Sequence, residues 1–74
     1  MRDLTEKQFV ARMVRNGFAK DDRSLNGFRH PDLPGVMFMT MIVQASGYRG
    51  ALRFALERVK EAQAGRVVTY LDTD

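Results

Sequence analysis

The sequence predicts an α+β domain: a small antiparallel sheet of two to four strands with two helices packed on one face, in the order α-β-β-β-α. Three observations carry this. Residues 4–17 and 47–64 each place apolar side chains at the three- and four-residue spacing of a helix that buries one face. Between them, Asn26-Gly27 and Pro34-Gly35 mark tight reversals that separate short β-prone runs. The connections are short, which favours an antiparallel meander over crossovers. The chain of 74 residues is expected to form one domain, 1–74, with 66–74 as a terminal strand or an exposed tail.

The first helix carries punctuation at both ends. Thr5 and Gln8 fit a capping box, in which the two side chains satisfy backbone N–H groups left over at a helix start. Leu4 before the cap and Phe9 inside the helix fit the accompanying hydrophobic staple. Phe9, Val10, Met13 and Val14 form the apolar stripe. Gly17 suits a left-handed cap, with Phe18 folding back on Met13.

Two short strands are expected over about 19–25 and 27–31, joined at Asn26-Gly27, because a type I′ turn needs positive φ at both central residues. Pro31 ends the second of them, since proline removes a ladder donor. Pro34-Gly35 suits a type II turn into a longer strand, 36–43. In that strand Val36, Phe38, Thr40 and Ile42 point one way, and Met37, Met39 and Met41 the other. Both faces are therefore apolar, and two helices cover only one. The methionine row reads equally as core and as an interface, since methionine adapts to irregular partners. If it is interface, the simplest partner is a second copy, so a homodimer is expected.

Ser46 is the expected cap of the second helix. Tyr48, Ala51, Leu52, Ala55, Leu56, Val59 and Ala62 form its apolar stripe, and Gly65 ends it. Val67–Leu71 has strong β character, and Val68 and Tyr70 would add to a sheet edge in their own subunit or in a neighbour.

Composition narrows the chemistry. With no cysteine and a single histidine, there is no thiolate or histidine-cluster metal site, no thiol nucleophile and no disulfide. No cofactor is expected. "MRDLTEKQF" lacks the apolar core of a leader, and no window approaches the roughly 18 apolar residues of a membrane span. A cytoplasmic protein without membrane contact is the expectation. The net charge of +3 and pI near 9.8 lean toward anionic partners.

The arginines fall into two groups. Arg12 and Arg15 on the first helix, with Arg23 and Arg29 on the hairpin, could track phosphates. Arg49, Arg53 and Arg58 on the second helix form another candidate patch, and Phe54 beside them could stack on a base. The alternative is a solvated face of mixed charge. His30 could transfer protons, but it sits in a turn before a proline with no evident partner, and a structural role is favoured. Asp21 and Asp22 are neighbours on an extended segment, so they point to opposite faces and suit a solvated loop better than a shared ion. Ser24 and Ser46 lack a nucleophile context. No catalytic constellation assembles.

The stretch "NGFAKDDRSLNGFRHPDLPGVMFM", residues 16–39, resembles the HicA-type toxins, small basic proteins with a double-stranded-RNA-binding-domain-like fold that cleave mRNA. In that family a helix ends in a glycine and an aromatic, as at Gly17-Phe18. An arginine-containing strand follows, and later an aromatic, a basic residue, histidine and proline, as at Phe28-Arg29-His30-Pro31. Aligned on Phe28, the family's serine falls at Ser24, its catalytic histidine at Leu25 and the preceding glycine at Arg23. The resemblance therefore implies an RNA-facing surface without the nuclease group, and it assigns His30 no catalytic part. The expected function is non-catalytic binding of nucleic acid, RNA before DNA. The alternative is a protein-interaction or inhibitor module that docks through strand 36–43 or a sheet edge.

Overall fold

The computed structural model describes residues 2–21 and 27–66. The element order is helix α1 (Glu6–Arg15), strands β1 (Ala19–Lys20), β2 (Gly27–Arg29) and β3 (Met37–Phe38), and helix α2 (Thr40–Gln63). This is the α-β-β-β-α arrangement that the sequence predicts. Among the described residues no helix is long and apolar enough to cross a membrane.

Helix α1 forms as its punctuation dictates. The Gln8 N–H donates to Thr5 Oγ1 at 3.1 Å, and the Thr5 N–H donates to Gln8 Oε1 at 2.9 Å, completing the capping box. Leu4 and Phe9 are both buried, as the staple requires. At the other end Gly17 takes φ 94°, and the Gly17 and Phe18 N–H groups donate to the Val14 and Met13 carbonyls. That is the paired bonding of a Schellman cap.

The sheet is antiparallel in the order β1-β2-β3, with Lys20 opposite Phe28 and Phe28 opposite Met37. Directly paired residues lie on the same sheet face. Phe28 and Met37 therefore share the helix-covered face, while Arg29, Ala19 and Phe38 lie on the open one. Gly27 is a strand residue paired with Phe38, and its carbonyl accepts from the Asp21 N–H. It is not a turn centre, so the two-residue Asn26-Gly27 reversal is replaced by a connection spanning 22–26, outside the described residues. Gly35, at φ 67°, takes the conformation expected after Pro34.

The strand expected over 36–43 is corrected. Only Met37–Phe38 pair, and α2 begins at Thr40. Met39, Ile42 and Val43 also stand at i, i+3, i+4, the spacing of a helix, and this period prevails. The methionine row breaks up with it. Met37 (2% exposed) and Met39 (0%) lie in the core of a single chain, whereas Met41 is 69% exposed. Met37 and Met39 therefore leave the interface set. The homodimer expectation loses the support it drew from Met37 and Met39, because these two are covered within the chain.

Phe9 is the centre of the core. Its ring meets Phe28 edge-on at 5.7 Å between centroids and lies 5.1 Å from Tyr48. Ala51 and Ala55 are fully buried, and their small side chains let α2 come close to α1. Helix α2 is broken once, at Gly47 (φ 74°, ψ 178°), into limbs of residues 40–46 and 48–63. Its far end closes at Gly65, where the Gly65 and Arg66 N–H groups donate to the Ala62 and Glu61 carbonyls.

Candidate nucleic-acid interface

The second limb of α2 and helix α1 lie side by side and run in the same sense. Phe9 is beside Tyr48 at the start of the limb. Asn16, at the end of α1, lines one cleft with Leu56, Lys60 and Gln63 further along it. Both helices carry exposed basic residues. On α1, Arg12 stands one turn before Asn16, whose Nδ2 donates to the Arg12 carbonyl at 2.7 Å, and Arg15 follows at i+3. On α2, Arg49 and Arg53 are four residues apart, and both line a groove on that helix with Leu52, Leu56, Glu57 and Lys60.

These cations stay available. Arg12, Arg15, Arg53 and Lys60 are exposed and have no carboxylate partner among the described residues. Arg49 is exposed too, and its Nε donates to the Arg2 carbonyl at 2.8 Å. A carbonyl does not neutralise the guanidinium, and although its charge acts on the Asp3 carboxylate, the exposed side chain can still face an anion.

Other arginines in the expected set are already engaged. Arg29 Nε lies 3.3 Å from Asp21 Oδ2, with the Asp21 side chain buried. The pairing joins diagonal neighbours on the open sheet face, so Asp21 is not the solvated loop residue that adjacency to Asp22 implies. Arg58 is more deeply committed. Its side chain is 14% exposed, its Nε lies 2.9 Å from Glu61 Oε1, and its Nη2 donates to Glu61 Oε2 at 3.0 Å. Glu57 Oε1 lies 3.6 Å from the same Nη2. The guanidinium also covers the Phe54 ring, 4.5 Å from its centroid. Arg58 is thus committed to these partners, while Phe54, met by the guanidinium, also lines a cleft with Arg49, Arg53 and Glu57. Arg23, Val68 and Tyr70 lie outside the described residues.

His30 serves the fold. Its Nδ1 accepts the Asp32 N–H at 3.0 Å, which places the proton of the neutral ring on Nε2, and its ring meets Phe18 at 4.8 Å. No carboxylate or hydroxyl is positioned to use that Nε2 in catalysis among the described residues. Among them, too, no three metal-ligating side chains come together.

The sequence gives no sign of Asp3, which organises the seam. Its Oδ2 accepts the Tyr48 N–H and its Oδ1 the Arg49 N–H, both at 2.8 Å. It thereby caps the limb that Ser46 was expected to cap. Those two bonds, Arg49 first and Tyr48 second, hold its carboxyl below the ordinary value of 3.8, with further help from the Leu4 N–H and the Arg49 charge. Gly47 makes the approach possible, since a Cβ there would stand 2.6 Å from Asp3 Oδ2. An aspartate at position 3 carries no local signal for a cap needed at position 48. No family model, curated protein or solved structure matches this chain.

Proposed function

We propose that the domain binds nucleic acid, RNA in preference to DNA, without cleaving it. The contacts are phosphate contacts from Arg12, Arg15, Arg49 and Arg53. One observation carries the reading: these arginines are exposed, none has a carboxylate within ion-pair distance among the described residues, and they stand on two helices that run in the same sense. The engaged pairs, Arg29 with Asp21 and Arg58 with Glu61, lie elsewhere. Parallel rows of cations suit a polyanion whose charges repeat at regular spacing. The RNA preference draws on the HicA-type resemblance and on the matching α-β-β-β-α order. Loss of cleavage follows from that alignment, which puts Leu25 at the family's catalytic histidine.

Fluorescence anisotropy of labelled RNA and DNA duplexes and single strands tests it. Four phosphate contacts give a log–log salt slope of roughly −3 to −4, so affinity falls about a hundredfold between about 50 and 200 mM salt. Arg12→Ala with Arg15→Ala lowers both affinity and slope. Absence of saturable binding at low salt removes the proposal.

A second reading, docking of another protein, is favoured by Phe38 and Met41, large apolar side chains left exposed at and just after β3. Such docking responds little to salt, so the same titration separates the two.

A further inference from the structure

Arg49 is held in a way that Arg12, Arg15 and Arg53 are not. Its backbone N–H donates to the Asp3 carboxylate and its side-chain Nε to the Arg2 carbonyl, each at 2.8 Å. Two consecutive residues of the N-terminal segment thus grip both the main chain and the side chain of one arginine. Their own position is fixed next to Leu4, which is buried, and by the Tyr48 N–H bond to Asp3. With Nε occupied, the two terminal nitrogens of the Arg49 guanidinium have no partner among the described residues. They form the end-on fork with which arginine meets a phosphate.

We infer that residues 2 and 3 form a clasp that sets the Arg49 guanidinium in place for phosphate contact, with Asp3 as its positioning residue. This rests on the nucleic-acid reading above. A long side chain held before binding loses less rotamer freedom when it binds, and that difference appears as affinity. The clasp and bulk electrostatics predict opposite signs. Asp3 carries a negative charge beside a basic stripe, so on charge alone its removal strengthens binding to a polyanion. If it positions Arg49, its removal weakens binding.

The test is an anisotropy titration of a labelled RNA duplex against the full chain and five variants, with folding of each checked by circular dichroism. Asp3→Ala weakens binding roughly 3- to 10-fold and lowers the salt slope by about one, as Arg49→Ala does. Asp3→Asn retains an acceptor and recovers most of the affinity. In an Arg49→Ala background, Asp3→Ala no longer weakens binding. Arg49→Lys, at an exposed position, keeps the charge and the Asp3 cap but loses the gripped fork. It weakens binding several-fold, and this arm stands even if Asp3→Ala fails to fold. Equal or tighter binding by folded Asp3→Ala, or wild-type affinity in Arg49→Lys, overturns the clasp and leaves the nucleic-acid reading intact. No salt-sensitive binding by the wild-type chain overturns both.

Discussion

The Asp3 carboxylate occupies the space that a side chain at Gly47 would fill, with Oδ2 2.6 Å from the position of a Cβ there. The two residues define one joint. Gly47 breaks α2 with a backbone conformation open essentially to glycine alone, and Asp3 caps the limb that starts just after the break. Neither residue fulfils its part without the other.

Gly47→Ala therefore carries two penalties, strained backbone and displacement of Asp3. The backbone strain alone is about 1–3 kcal/mol. With a melting temperature that moves roughly 4–8 °C per kcal/mol in a domain of this size, thermal unfolding by circular dichroism should show a drop of several degrees or more. An unchanged melting temperature would mean that the joint is not formed as described.

Acid should loosen the same joint. The Asp3 carboxyl is held below 3.8 by the Arg49 and Tyr48 N–H groups, so its folded pKa is lower than its unfolded one. A depressed carboxylate contributes stability above its unfolded pKa and loses it as pH falls through the folded value. Urea midpoints measured from pH 6 down to pH 2 should decline less for Asp3→Asn than for the wild-type chain, with the divergence beginning near pH 4. Parallel declines would show that Asp3 is not capping the helix in solution.

The methionines should divide by position. Met37→Ala and Met39→Ala each remove a buried side chain and cost about 2–5 kcal/mol. Met41→Ala, at an exposed site, should stay within about 0.5 kcal/mol. Denaturant titrations check this. Similar small effects for all three would restore the row as a surface.

This division also shows what the sequence could convey. Helix α1 was fully legible because its signals are local: Thr5, Gln8, Gly17 and Phe18 act on groups within a few residues of themselves. The start of α2 was not, because residues 36–43 satisfy a period of two, and Met39, Ile42 and Val43 also satisfy the helical period. Only tertiary packing chooses between them. The basic stripes were legible as residues, but their sorting was not. Arg58 and Glu61 are neighbours on a helix, and so are Arg53 and Glu57, yet only Arg58 is drawn into a buried pair and laid over Phe54. Asp21 with Arg29, and Asp3 with Tyr48, come together only when the chain has folded.

Arg58 and Arg53 should consequently behave in opposite ways. Arg58→Ala loses the Glu61 pair and the Phe54 contact and destabilises the fold by about 1–2 kcal/mol, leaving nucleic-acid affinity near wild type once the protein is folded. Arg53→Ala should leave the melting temperature within a degree or two and weaken binding. Thermal melts alongside anisotropy titrations distinguish them, and an equal loss of affinity in both would return Arg58 to the binding surface.

The most direct test of the account is the salt dependence of RNA binding by the wild-type chain beside Arg12→Ala/Arg15→Ala and Arg49→Ala/Arg53→Ala. The account predicts saturable wild-type binding with a slope of roughly −3 to −4, reduced by about two in each double variant. Binding that ignores salt, or is equally tight in both double variants, would contradict it.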